Sequence, residues 1–374
     1  MANTLITPKV IAKLSAIALK NRLLGARYIP RALDSVFNDG KVGDTVNVRM
    51  PMPATEASEF NGSTNTSDIK QTSAPVTLEK HFYKKFHLTS KEMKLELDDF
   101  AAEVIVPTVT GISQSIDKYV LGKARAALSA AGRYTGTITS RPTTVAHVLA
   151  AQQALDETYT PGQGRIGVID PTTKTSFLAL DQFVRQDYGA KAQLEGLEIG
   201  KRLGAEWICD PAALGTNRGD VAGTVLLAAA ATAGATVLSV DGLTAATGVI
   251  KAGTAFTLAG DTTRYAVLED AAIASNAATL KIGPALKANA ADNTAVTFEG
   301  EGYGDMIFVP GFAAMAIVAP EPLAGMTSSV YTSDDVSVRV SIDGNLSDLG
   351  TDCVIDVMCG ANVVDPNAGV IIGG

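Results

Sequence analysis

Residues 50–76 read MPMPATEASEFNGSTNTSDIKQTSAPV and show no apolar period. Structureless stretches longer than ~12–15 residues are uncommon in compact domains, and those that occur are usually functional or disordered. Strand-like patterns flank this one, because Val46 and Val48 alternate with polar residues before it and apolar residues of one parity run from Val76 to Leu88 after it. A strand from Val76 to Leu88 would be about 40 Å long at ~3.3 Å per residue. We therefore predict an extended hairpin over residues 44–88, whose polar tip reaches a neighbouring chain.

The composition excludes several classes of protein. The chain has 374 residues, of which 46% are hydrophobic, yet no run of ~18 apolar residues is long enough to span a membrane. Its three cysteines are too few for a disulfide framework, which favours a reducing cytoplasm. Lysines interrupt the apolar residues of the N-terminus, so a secretory signal is not expected.

Charge is distributed unevenly along the chain. The formal net charge of −8 argues against a surface that grips nucleic acid throughout. Basic residues nevertheless precede the first acid, Asp34, and they include Lys9, Lys13, Lys20 and Arg22. Two interpretations stay open for this basic face: the solvated side of an amphipathic helix, or a contact with phosphates or an acidic partner.

Periodicity predicts helices near both ends of the first third of the chain. Thr7-Pro8 is typical of a helix start, and apolar residues follow at helical spacing as far as Leu24. A second, long helix is predicted from Pro107 to Gly132. Such a helix would be about 36 Å long at 1.5 Å per residue.

The remainder of the chain mixes short helices and strands. Residues 142–220 read as short α/β units, and the chain ends in alternating strands such as Val336–Ile342. Between them, residues 221–300 become rich in Ala, Thr and Gly, with short alternating runs separated by turns. This pattern predicts a small β-barrel or sandwich inserted into another domain. The fold class expected for the whole chain is α+β.

No residue pattern predicts catalysis. Gly162–Gly167 matches the dinucleotide fingerprint, but a helix precedes it and a strand runs through its last glycine, which inverts the required context. His81 and His87 lie six residues apart on one strand, too far to share a metal. Cys353 and Cys359 fall in a strand pattern and are expected to be buried thiols. We predict no enzyme activity, no cofactor and no metal.

The order of segments resembles that of a known family. The quoted segments are Lys80–Leu97 (KHFYKKFHLTSKEMKLEL), Ser239–Phe256 (SVDGLTAATGVIKAGTAF) and Val354–Pro366 (VIDVMCGANVVDP). Together with the helix, hairpin, long helix and β insertion, they resemble the major capsid (coat) proteins of tailed bacteriophages, which have the Hong Kong-ninety-seven-like fold. More narrowly, the chain is similar to P-twenty-two-type coat proteins, which carry an inserted β-domain.

The resemblance implies a division of the chain into five parts. These are an N-terminal helical arm (1–43), an extended hairpin loop (44–88), a peripheral domain with the long spine helix (89–141 and 330–350), an axial domain (142–220, 301–329 and 351–374) and an inserted β-domain (221–300). It also implies that the hairpin loop lies over a neighbouring subunit, with contact residues Lys80, His81, Phe82, Lys84, Lys85 and Phe86.

The function implied is self-assembly through hexamers and pentamers into an icosahedral shell that encloses double-stranded DNA. The expected partners are other copies of the chain, a scaffolding protein, a portal and loosely held DNA, with no membrane. The expected location is the virion capsid, assembled in the host cytoplasm. Two alternatives remain: an encapsulin-like nanocompartment shell, and a stand-alone binding module that bears the β-domain.

Overall fold

The computed structural model describes residues 8–31, 45–50, 73–89, 104–137, 140–184, 199–213, 218–261, 263–298, 304–322, 325–333, 336–345 and 350–374. Helices and sheets occur together in these residues, which confirms the α+β class. The described helices are α1 (Pro8–Arg22), α2 (Val106–Ala130), α3 (Val145–Asp156), α4 (Pro171–Leu178) and α5 (Asp181–Val184). Short 3-10 turns lie at Ala26–Tyr28 and Pro366–Ala368.

The described strands, in chain order, are β1 (Thr45–Arg49), β2 (Ser73–Thr77), β3 (Lys80–Thr89), β4 (Tyr134–Thr135), β5 (Arg165–Ile169), β6 (Gly200–Arg202), β7 (Ala205–Cys209), β8 (Gly223–Leu227), β9 (Val237–Leu243), β10 (Thr247–Ile250), β11 (Ala255–Leu258), β12 (Tyr265–Val267), β13 (Ala271–Ala274), β14 (Ala277–Gly283), β15 (Val296–Phe298), β16 (Met306–Phe308), β17 (Ala313–Val318), β18 (Thr327–Ser333), β19 (Val336–Asn345), β20 (Gly350–Val363) and β21 (Gly369–Ile372).

A five-stranded antiparallel sheet has β20 at its centre. β3 pairs with one edge of β20, while β19 and β17 pair with successive parts of the other edge and β18 lies beyond β19. Alternate residues of β19 and β20, such as Val338 and Ile355, are buried in the same core cluster as Ile116 of α2. The strict alternation of the terminal strands therefore marks the face that α1 and α2 cover.

The two helices on this face follow their predicted periodicity. α1 begins at Pro8, whose fixed φ suits a first turn, and buries Ile11, Ala16 and Leu19. α2 carries a proline in its first turn and buries residues along one side, among them Ile112. Helix packing on the sheet thus accounts for the largest apolar core.

The predicted single strand from Val76 to Leu88 is wrong. β2 ends at Thr77 and β3 begins at Lys80, so residues 78 and 79 separate two strands where one was predicted. The reason lies in the two intervening residues. Leu78 packs with an apolar cluster on β17, while the Glu79 carboxylate accepts hydrogen bonds from the Tyr119 hydroxyl and the Lys123 ammonium.

A six-stranded mixed sheet forms a second layer, in the order β4-β21-β16-β5-β7-β6. Its separate core centres on Phe177, Phe183 and Trp207. The last glycine of the fingerprint-like sequence, Gly167, lies within β5, where a Cβ atom would come 2.4 Å from Trp207 Cε3. This glycine makes room for the indole ring, so packing explains the last glycine of the motif, while Gly164 has a positive φ of 77°.

Strands β8–β15 form an eight-stranded sheet with an apolar core of its own, in which Val240, Phe256 and Leu280 are buried. Arg264 joins this unit to the end of α2, because its Nη1 donates to Ser129 Oγ at 2.9 Å. The same guanidinium lies 4.4 Å from the centre of the Tyr134 ring. Residues 214–217 and 299–303, which flank this unit in the sequence, lie outside the described residues.

Candidate intersubunit surface

The six predicted contact residues all lie on β3, on an edge of the five-stranded sheet, but they divide between its two faces. The rings of Phe82 and Phe86 are half-buried and pack against the main core, with Phe82 edge-on to Tyr119 at 6.2 Å. The others, Lys80, His81, Lys84 and Lys85, are exposed. The aromatic pair therefore holds β3 on its own subunit, and His81 and Lys85 lie on the opposite, outward face. Lys80 and Lys84 share the face of the aromatic pair, opposite Cys359 and Ile355 of β20, but are exposed.

Acidic residues of β20 face the outward side of β3. The Nε2 atom of His81 lies 2.8 Å from Asp356 Oδ2, and Lys85 Nζ lies 2.7 Å from Asp352 Oδ2. The His87 ring also contacts Asp352, with 2.7 Å between Nδ1 and Oδ1. Hydrogen bonds from Lys85 and His87 hold the pKa of the Asp352 carboxyl below its usual range. These pairs fix the register of β3 on β20.

Asp356 connects this surface to the interior of the sheet. Its Oδ1 accepts a hydrogen bond from Arg339 Nε at 3.0 Å, and its Oδ2 accepts a second from Arg339 Nη2. Asp356 is 2% exposed and Arg339 is 7% exposed, so both charges are removed from water. Buried charges of this kind are tolerated when they are paired in good geometry. One carboxylate therefore links β3, β20 and β19.

The other edge of β3 pairs with no strand among the described residues. A ten-residue strand edge is a template on which a further strand can pair, and natural proteins often place lysines on such edges. The lysines of β3 fit that role. The free edge of β3, among the described residues, is therefore suited to polar contacts whose strength depends on the charges of its lysines.

The root of the predicted extended hairpin is a paired β1–β2 ribbon. Thr45 Oγ1 lies 2.9 Å from Thr77 Oγ1 at one end, and Arg49 is paired with Ser73 at the other. Val76 of this ribbon is buried with residues of β17, and the Asn362 side-chain amide of β20 donates to Pro75 O at 2.7 Å. The ribbon is thus fastened to the sheet. Most of the polar tip, residues 51–72, lies outside the described residues.

The basic residues predicted for the N-terminal arm lie on α1. Lys9, Lys13 and Arg22 are exposed and Lys20 is half-buried, while the opposite side of the helix is packed on the sheet. Lys20 and Arg22 occupy the last turn, where positive charge complements the helix dipole. Residues 1–7 and 32–43 of the predicted arm lie outside the described residues.

Sequence reasoning missed a pair of buried acids beneath the turn that follows α1. Asp117 accepts hydrogen bonds from the backbone N–H groups of Leu24 and Ala26, at 3.1 and 2.9 Å. Asp210 accepts one from Gly25 N at 2.9 Å. Burial, with a contribution from Asp210, raises the pKa of the Asp117 carboxyl to about 7. The only indication of these acids in the sequence was the position of Asp117 within the apolar stripe of α2.

A third buried acid, Asp305, fastens the start of α4 to the six-stranded sheet. Its Oδ1 accepts from Asp170 N at 2.8 Å and its Oδ2 accepts from Thr173 Oγ1 at 2.7 Å. Asp170 is the N-cap of α4 and also pairs with Arg141. Burial raises the pKa of Asp305 to about 7. Every oxygen of this acid is used for structure.

The described ranges contain no cluster of three or more His, Cys, Asp and Glu residues arranged to hold a metal. Among the same residues, no helix is long and apolar enough to cross a membrane. Cys353 and Cys359 are buried thiols, as their strand pattern predicts. Burial raises the pKa of the Cys353 thiol to about 12, which makes it a poor nucleophile.

No protein-family model and no curated protein matches the chain. Among solved structures, one from Mycobacterium phage Che8 is similar over 92% of this chain and 89% of its own, with 13% identity and a TM-score of 0.48. The capsid structure of Cyanophage P-SCSP1u is similar over 88% of this chain and 83% of its own, with 14% identity and a TM-score of 0.43.

A virus-like particle from Pyrococcus furiosus is similar over 96% of both chains, with 10% identity and a TM-score of 0.41. These structures include a phage capsid, the class of protein that the sequence resembles. All three TM-scores are below 0.5, so these similarities do not by themselves assign a function to this chain.

Proposed function

We propose that this chain is a major capsid protein of the tailed-bacteriophage type. In this proposal it assembles through hexamers and pentamers into an icosahedral shell around double-stranded DNA. The observation that carries the proposal is the fastened root of the hairpin, because Arg49 pairs with Ser73 and residues 50–72 must leave and return at one point. An extended chain covers at most ~3.3–3.6 Å per residue, so a loop of this length can extend about 35 Å from its root. Such a reach suits contact with a neighbouring subunit.

The charged surface of β3 supports the same proposal. Lys80 and Lys84 are exposed beside the root of the hairpin, so one region of the subunit offers both a long loop and a cationic strand. Contacts between unlike surfaces of identical subunits are head-to-tail, and they close into rings when the rotation allows. Each contact can be weak, because a shell engages every subunit with several neighbours at once.

The proposal extends to partners and location. We assign a scaffolding protein and a portal as assembly partners, and the virion, assembled in the host cytoplasm, as the location. The net charge of −8 suits a wall that holds packaged DNA only by loose, non-specific contact. The proposed role is structural, so it includes no catalytic activity and no cofactor.

Electron microscopy of the purified full-length chain, with and without candidate scaffolding protein, tests this proposal. We expect shells, tubes or ring-shaped capsomers. Replacing residues 53–70 with a short Gly/Ser turn keeps the β1–β2 pairing and should give a folded chain that no longer assembles. A matched variant with residues 53–70 in scrambled order keeps the length of the loop and changes only its sequence, so it shows which of the two assembly requires.

Three outcomes would contradict the proposal or redirect it. A monomer under all conditions would refute shell formation and favour a stand-alone binding module. Assembly that survives the Gly/Ser replacement would refute the role given to the hairpin. Shells that contain a co-purified enzyme in place of nuclease-protected DNA would identify an encapsulin-like compartment.

A further inference from the structure

Helix α1 carries two apolar stripes, of which the fold buries one. The buried stripe faces the sheet and includes Ile11 and Leu19. At 100° per residue, Val10, Leu14 and Ile17 form a second stripe on the opposite side, at i, i+4 and i+7 spacing. Leu14 is 37% exposed and Ile17 is 39% exposed. An amphipathic surface helix needs only one apolar stripe, so the second requires an explanation.

Leu14 and Ile17 of the second stripe form one wall of a groove. The groove has a volume of about 440 Å³ and runs between α1 and the start of α2, where Ile105 and Val106 form the other wall. Asn21 and Arg22 complete the α1 side. Aliphatic side chains at helical spacing on one wall, with an aliphatic wall opposite, are the features of a groove that accepts a helix.

The charge around the groove has a single sign within α1. This helix contains no acid, and at 100° per residue Lys9 and Lys13 flank the exposed stripe on the side away from α2. Arg22 adds a guanidinium at the end of the groove. A partner helix lying on the stripe would therefore place its own flanking residues against cations.

We infer that this groove is a docking site for an acidic amphipathic helix of a partner protein. A partner with apolar residues at i, i+4 and i+7 would fill the stripe, and glutamates or aspartates beside them would face the lysines of α1. A second copy of α1 is disfavoured, because it would place lysine against lysine. The inference goes beyond the proposed function and does not require that the chain forms a shell.

A synthetic helical peptide provides the probe. It carries leucine at i, i+4 and i+7 with flanking glutamates, and its binding to the full-length chain is followed by fluorescence anisotropy. We expect saturable binding that weakens as salt is raised. Ile17→Ser should weaken binding about tenfold, since one aliphatic contact is lost. Lys13→Glu should weaken it and reduce its salt dependence.

Matched controls distinguish docking from unspecific adhesion. Leu149 is 53% exposed on α3, so Leu149→Ser removes an exposed leucine elsewhere and should leave binding unchanged. A peptide in which lysine replaces glutamate should not bind. Thermal unfolding followed by circular dichroism shows that Ile17→Ser remains folded.

Several outcomes would overturn the inference. These are the absence of saturable binding at peptide concentrations up to about 1 mM, equal affinity for the Ile17→Ser chain, and equal binding of the lysine peptide. Sedimentation tests the remaining occupant. If Ile17→Ser dissociates an oligomer of the wild-type chain and the acidic peptide does not compete, the groove binds a second copy instead.

Discussion

Replacing Asp356 with alanine tests how the five-stranded sheet is held together. The substitution removes two hydrogen bonds from Arg339 and one contact with His81. The His81 side chain is 50% exposed, so its contact contributes about 1 kcal/mol or less. The Arg339 guanidinium is 7% exposed and would be left buried without its counter-charge.

Removing one partner of a buried ion pair typically costs about 3–5 kcal/mol. We therefore expect Asp356→Ala to lower the free energy of unfolding by about that amount, and His81→Ala by about 1 kcal/mol or less. A double variant, Asp356→Leu with Arg339→Met, removes both charges and should recover most of the loss, because an apolar pair of similar volume is often equally stable.

Because the chain contains several apolar cores, we do not expect it to unfold in a single two-state transition. Native-state hydrogen exchange of the β19 and β20 amides measures the opening of this sheet directly. Equal losses for Asp356→Ala and His81→Ala would refute the reasoning. So would a double variant that is as unstable as the single one.

Three further predictions concern other parts of the chain. The folded pKa of Asp117, about 7, is raised above that of an unfolded carboxyl, so the stability it contributes is present below about pH 4 and is lost as pH rises through 7. Urea unfolding between pH 5 and pH 8 should therefore show a flatter pH dependence in Asp117→Asn than in the wild type, and equal slopes would contradict this. Gly167→Ala should destabilise the six-stranded sheet by at least about 1–3 kcal/mol through overpacking against Trp207. Gly111→Ala lies on α2, where no atom comes within 4 Å of the new methyl group, and should stabilise the protein by about 1 kcal/mol. Thermal melts of both variants measure these changes, and melting temperatures that shift in the same direction would contradict the packing account. Arg264→Ala should increase hydrogen exchange at the contact between β12 and α2, since it removes a hydrogen bond and a cation–π contact worth about 1–2 kcal/mol together. Unchanged exchange there would show that other contacts hold the eight-stranded sheet against α2.

Local pattern predicted the elements whose cause is local. α1 and α2 follow apolar spacing and a proline in the first turn, and β19 follows strict alternation. The buried side of each element was therefore readable from the sequence. In these elements the residues that set the structure are near neighbours in the chain.

Pairing between strands that lie far apart in the sequence could not be predicted from local patterns. His81 and Asp356 lie 275 residues apart, and no local pattern indicates that β3 pairs with β20 of the same chain. At the break after Thr77, Glu79 contacts Lys123 of α2, a residue 44 positions away in the sequence. The acids beneath the α1 turn were missed for the same reason, since Asp117 and Asp210 reach the backbone N–H groups of residues 24–26 from separate elements.

The central position of β20 determines when this chain can fold during translation. Residues 350–363 are synthesised after β3, β17 and β19, yet all three strands need them as their pairing partner. The eight-stranded sheet finds its partners within residues 223–298 and can fold earlier. Until residues 350–363 have been synthesised, β3 lacks its partner strand, and unpaired strand edges are prone to aggregate. The lysines and histidines along it act as gatekeepers that keep the nascent chain soluble during this interval.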